Sequence, residues 1–176
     1  MRWCQGLWQL KVQQYVPLMR TIVDTVEILQ DSRRVVPPSS LAWWIRHVPR
    51  EFNVRADALA KECLQSGEPF YWCASCNNPS AIQRIRIHFD GGHKCARGSS
   101  AWTMEAAVGS QEWSIVAEAS LYLQSATSVF AELVACSQAV HALSSFVRTG
   151  TICFETSGAV WQSIVPPLQR EFLYRY

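Results

Sequence analysis

Residues 85–92 read Ile-Arg-Ile-His-Phe-Asp-Gly-Gly, and this stretch constrains the fold more than any other. Ile85, Ile87 and Phe89 fall on one face of an extended segment by its period of two, while Arg86, His88 and Asp90 fall on the other. A strand with one apolar face needs a covering layer on that side. The alternation carries Asp90 to the strand's end, where Gly91 and Gly92 predict a sharp turn and room for a ligand backbone to approach. Taken alone, Asp90 reads either as a turn residue or as a functional carboxylate.

The chain before this strand carries its own periodic segments. Over residues 15–29, Val16, Met19, Ile22, Val23, Val26 and Leu29 recur at helical spacing with Arg20, Asp24 and Glu27 between them, which predicts an amphipathic helix. Residues 33–40 hold adjacent prolines and serines and read as a loop. Residues 41–48, rich in Trp and Ile and closed by Pro49, predict a buried strand. Asn53 is placed to cap a helix over 54–64 with Ala56, Leu59, Ala60 and Cys63 on its apolar face and Asp57 in its first turn. Residues 67–82 lose all periodicity and turn to Gly, Pro, Asn and aromatics, so they are expected to link a segment 1–66 to a segment 83–176.

Beyond the opening strand, residues 98–108 and 112–123 are further strand candidates joined around Gly109 and Ser110, which suggests an antiparallel meander. Residues 128–146 predict a helix with Phe130, Leu133, Val134, Val140 and Leu143 on one face and Glu132 near its start. A short strand at 151–154 leads into Glu155, Thr156 and Ser157, and a helix beginning at 159 is stopped by Pro166 and Pro167.

Composition narrows the setting. At 176 residues and 49% hydrophobic, the chain can bury a core, and its net charge of +2 is too small to attract nucleic acid at long range. No apolar run approaches the roughly 20 residues of a membrane span, and the opening residues lack the apolar stretch of a secretory signal. An intracellular protein, in cytoplasm or nucleus and without a membrane partner, is the expectation. Seven cysteines without framework spacing fit a reducing compartment.

The order of strands, helix and acids resembles the ribonuclease H family. The resemblance rests on Phe89-Asp90-Gly91-Gly92, on Gly98-Ser99-Ser100-Ala101-Trp102 and on Ala131-Glu132-Leu133-Val134-Ala135, and spans about residues 83–165 as the first half of that fold. Residues 1–66 resemble the family's closing half through His47-Val48-Pro49-Arg50-Glu51-Phe52-Asn53 followed by Ala56-Asp57-Ala58-Leu59-Ala60, close to the plant-type and reverse-transcriptase-like version. Tail therefore precedes head. Either a circular permutation rebuilds one domain, or the chain joins pieces of two neighbours in a tandem array. The permuted assembly is expected, because a linker of about fifteen residues reaches roughly 50 Å when extended; a swapped dimer would satisfy the same contacts.

The resemblance implies an α/β fold with a mixed five-stranded sheet, its first three strands antiparallel, flanked by helices. It further implies a nuclease that cleaves the RNA strand of RNA:DNA hybrids with Mg²⁺ or Mn²⁺. Two hard cations about 4 Å apart need several carboxylate oxygens, and the family pattern places Asp90, Glu132 and Asp57 there. Gly91, Gly92, Lys94, Ser128 and Arg50 are the implied nucleic-acid contacts, with Arg50 placed either against a phosphate or in a surface ion pair with Glu51 or Glu62.

The chain departs from the family at its third acid. Aligning Ser157 with the family's Asp-Ser puts Thr156 where a carboxylate belongs, and Glu155 would serve only if a bulge re-aimed it. Asp31-Ser32 offers the same pair in the wrong place and reads as a solvated turn. Ser128 and Val129 stand where members hold the hybrid with Asn side chains, and residues 49–52, the loop before the helix at 54–64, hold no His to shuttle protons. A nuclease-inactive binding module is therefore the alternative.

Several weaker signals accompany these. Cys73-x-x-Cys76 is half a zinc site with His88, His93 and Cys95 as its only near partners, a spacing that fits no common finger. Trp43, Trp44, Trp102 and Trp113 read as core or as base-stacking platforms. Arg84, Arg86, His93, Lys94 and Arg97 read as a phosphate-tracking patch or an ordinary solvated face.

Overall fold

The computed structural model describes residues 15–31, 47–74, 82, 84–108, 110 and 112–149. The alternating stretch forms β2 (Arg84–Lys94), hairpinned onto β3 (Arg97–Ala107), which pairs in turn with β4 (Ser114–Leu123). Among the described residues these strands and β1 (Phe70–Cys73) make a four-stranded sheet in the order β1-β4-β3-β2, every neighbouring pair antiparallel. Three α-helices among the described residues accompany it: α1 (Val16–Asp31), α2 (Val54–Ser66) and α3 (Ser128–Thr149). The protein is thus of mixed α and β structure.

Two sequence expectations change here. β1 lies inside the stretch expected as a linker, where Tyr71 and Cys73 pack on the core and Phe70 and Trp72 stay exposed. Four residues are too short a window for alternation to stand out, and pairing with Ala117–Ser120 of β4 is what makes them a strand. The turn expected at Gly91-Gly92 does not occur there. β2 runs straight through both glycines, and the reversal falls at Cys95 and Ala96, which take φ of 51° and 60°. A two-residue hairpin loop needs positive φ to match the twist of its strands, and the Lys94↔Arg97 register imposes that on two side-chain-bearing residues.

The glycines serve close approach instead. A Cβ on Gly91 would stand 2.4 Å from the Glu132 backbone nitrogen, so α3 rests directly on the strand. On Gly92 it would meet Ser99 Oγ at 2.5 Å and the Ala60 carbonyl of α2 at 3.4 Å. The room that the sequence suggested for a ligand backbone is filled by the protein's own helices, one on each face of the sheet.

The core follows from this layering. On one face Trp102, Met104, Ala106 and Ala119 pack against Ala139, Ala142 and Phe146 of α3, with Ile85, Ile87 and Phe89 at the margin. α1 then covers the outer side of α3 through Leu18, Met19, Ile22 and Val26 against Leu133, Val134 and Val140. Residues 133–140 are consequently all buried, which explains why α3 shows a broad apolar girth rather than a stripe. α3 is the one helix among the described residues long and apolar enough to cross a membrane, and most of that window is buried inside the protein. Thr127 starts it by accepting the Phe130 N–H at 3.1 Å, and the Tyr15 hydroxyl reaches Thr127 at 2.7 Å.

α2 lies on β2 and β3, on the opposite face. Leu59 and Ala60 bury against Ala101, Ser99 Oγ donates to the Ala60 carbonyl at 2.6 Å, and Gly67 at φ 74° ends the helix. Arg55 pairs with Glu118 through two bonds of 2.6 and 2.7 Å, which settles an otherwise costly carboxylate in the middle of β4. The strands expected at 151–154 and over most of 41–48, the helix at 159–165, Trp43, Trp44, Ser32, Cys76, Glu155, Thr156 and Ser157 all lie outside the described residues. Residues before and after position 67 pack together, the first helix against α3 and α2 against β3.

Candidate functional site

Asp90 sits within β2 on the face that α2 covers, and its neighbours come from both flanking helices. Asn53, just before α2, makes no side-chain cap; its Nδ2 donates to the Phe89 carbonyl at 3.0 Å and fastens the helix start to the strand beside Asp90. The cap expected from the sequence is thus replaced by a tertiary bond. Asp57, one turn into α2, is close enough to Asp90 to repel it. On the other side the contact of Gly91 with the α3 backbone brings Glu132 to the strand.

The electrostatics follow from this crowding. Burial, then the Asp57 charge, pushes the Asp90 carboxyl above the usual range, while Arg50 and Lys61 pull it back. Glu132 rises to about 7, first from burial and then from the Asp90 charge, against a backbone hydrogen bond from Gly91. Asp57 goes the other way. Its hydrogen bond from Arg50, together with Lys61, holds it below the ordinary carboxylate value despite some burial. Arg50 Nε and Nη2 lie 3.0 and 2.5 Å from Oδ1, and Lys61 Nζ lies 2.5 Å from Oδ2.

Asp90, Glu132 and Asp57 are therefore neighbours, with Asp90 in the middle. Among the described residues no group of three or more His, Cys, Asp or Glu side chains is arranged to hold a metal ion as it stands. Asp90 and Glu132 make no ion pair among those residues, whereas both oxygens of Asp57 are taken. Asn53 Oδ1 is also buried without a hydrogen-bond partner among them.

The remaining site candidates distribute unevenly. Arg50 pairs with Asp57 rather than with Glu51 or Glu62, because the turn at Arg50–Phe52 carries it over the first turn of α2. Lys94 stands exposed at the hairpin tip beside His93 and Arg97, and Ser128 is exposed at the start of α3. Arg84 and Arg86 leave the proposed patch to lie 5.2 and 4.4 Å from the ring centre of Trp113, and Arg86 also meets Glu105. Trp102 is buried in the core, one of the two readings its sequence allowed. Lys61 was missed from the sequence, although its i,i+4 position after Asp57 was a readable signal. Arg55 and Glu118 had none, being 63 residues apart. A shallow cleft of about 260 Å³ between α2 and β1, lined by Arg55, Leu59, Cys63, Phe70 and Ser120 among others, includes none of the three acids.

No family model, no curated protein and no solved structure matches this chain.

Proposed function

We propose that this chain is a ribonuclease H-like hydrolase that cleaves the RNA strand of RNA:DNA hybrids at a divalent-metal site formed by Asp90, Glu132 and Asp57. One observation carries the reading: Asp90 of β2 is held near enough to repel both Asp57 of α2 and Glu132 of α3, residues distant from it in sequence. Such repulsion is costly without a cation, and hard oxygen donors suit Mg²⁺ or Mn²⁺. The orphaned Asn53 oxygen adds a further oxygen on the residue bonded beside Asp90. The five-stranded mixed sheet and the permuted assembly belong to the same proposal.

Bound there, the metal would polarise the phosphoryl oxygen and lower the pKa of an attacking water. Asp90, central among the acids, would bind it. Glu132, its carboxyl raised to about 7, would help hold the cation and would give up its proton on doing so. The Gly91 backbone hydrogen bond orients Glu132 meanwhile. Exposed Arg50, Lys94 and Ser128 would track phosphates and ribose hydroxyls, so recognition would follow hybrid shape rather than sequence.

A second reading, a nuclease-inactive nucleic-acid-binding module, is favoured by one specific feature: both oxygens of Asp57 already hold cationic side chains. A cleavage assay with Mg²⁺ or Mn²⁺ on hybrid, duplex DNA and duplex RNA separates the two. Hybrid cleavage abolished by Asp90→Asn supports the enzyme, and cleavage indifferent to that change removes the site. Hybrid binding without cleavage, with cleavage appearing on Thr156→Asp, supports the module.

A further inference from the structure

The three acids differ in what holds them. Asp57 Oδ1 accepts two bonds from Arg50 and Oδ2 accepts one from Lys61, so each oxygen has a cationic partner. The carboxylate is 14% exposed, whereas the Arg50 and Lys61 side chains are 71% and 53% exposed. The contacts are also local, spanning seven residues for Arg50 and four for Lys61. They are set by the turn at Arg50–Phe52 and the pitch of α2, independently of the rest of the sheet. Asp90 and Glu132 have no such partners among the described residues.

We propose that Arg50 and Lys61 are internal counter-ions that compete with a metal for Asp57, so that the acidic site takes up divalent cations in two unequal steps. The inference rests on the metal-site reading above and specifies how that site is loaded. A first ion binds Asp90 and Glu132, whose mutual repulsion it relieves. A second binds only where Arg50 and Lys61 give up Asp57. Exposed ion pairs are individually weak, so the competition weakens the second ion without forbidding it. No covalent change is involved; one cation replaces another on the same oxygens.

Mn²⁺ alone, titrated into the full chain at pH 8 and followed by electron paramagnetic resonance and calorimetry, tests this. Wild type is expected to bind one ion per chain, with a second about tenfold weaker or more, the size two exposed ion pairs imply. In the Arg50→Ala, Lys61→Ala double variant the second ion should tighten about tenfold, and Lys61→Arg alone should leave it weak. Asp90→Asn should remove the first ion. Because both replaced side chains are largely exposed, unchanged circular dichroism is expected. Two equal ions in wild type, or a second ion that stays weak in the double variant, would overturn the inference and leave the metal site standing. No Mn²⁺ bound by either protein would remove the metal-site reading itself.

Discussion

Glu132 carries a proton that an exposed glutamate would have lost, since burial and the Asp90 charge lift its carboxyl from 4.5 to about 7. Between these values the folded chain binds more protons at this residue than the unfolded chain does. Its contribution to stability is therefore full below about pH 4.5 and is lost as the pH rises through 7. In metal-free buffer, Glu132→Gln should raise the unfolding free energy measured in urea at pH 8, by about 1 kcal/mol once solvent screening is allowed for, and change it little at pH 5. An equal gain at both pH values would mean that packing, not ionisation, governs the residue. Mn²⁺ added to wild type near pH 6 should release protons, and Glu132→Gln should reduce that release, as calorimetry in buffers of different ionisation enthalpy reports.

The helices meet the sheet through points of close approach rather than through side-chain bulk. Gly91→Ala drives a Cβ to within 2.4 Å of the α3 backbone, which cannot move without dragging the core, so a loss of about 3 kcal/mol is expected in chemical denaturation. Gly92→Ala meets the Ser99 hydroxyl first, at 2.5 Å, and pairing it with Ser99→Ala should recover part of the loss. The seat of α2 depends equally on Arg55. Removing that guanidinium strands Glu118, only 5% exposed, and Arg55→Ala should destabilise by roughly 3 kcal/mol. Replacing both residues with Met should cost much less, and a double-mutant cycle measures the difference.

At the scale of the molecule, α1 and α2 belong to the same body as the sheet. α1 supplies Leu18, Met19, Ile22 and Val26 to the cluster on α3, and α2 supplies Leu59 and Ala60 to the opposite face. A chain beginning at residue 67 would expose both surfaces. It is expected to lose the cooperative thermal transition of the full chain and to bind a hydrophobic dye, whereas adding back residues 1–66 should restore the transition. A truncated chain that unfolds cooperatively on its own would instead mark residues 67–176 as an independent unit.

Much of this was readable in one dimension. Periodicity alone marks α1, α3 and the three long strands to within a few residues, because helix pitch and strand pleat impress their periods on any half-buried element. The acids were singled out from the same sequence, Asp90 on an alternating strand, Asp57 in the first turn of one helix and Glu132 near the start of another. The sequence did not determine where β2 reverses, since the glycines that suggested a turn answer to helices packed against them. Nor did it determine β1, which exists only by pairing with β4, or the two-sided burial of α3, which needs α1 on its far side. The charge state of the site was likewise a tertiary outcome. Asp57 is held ionised by residues near it in sequence, while burial and the Asp57 charge drive Asp90 towards its neutral form, burial and the Asp90 charge do the same to Glu132, and only folding brings those charges together.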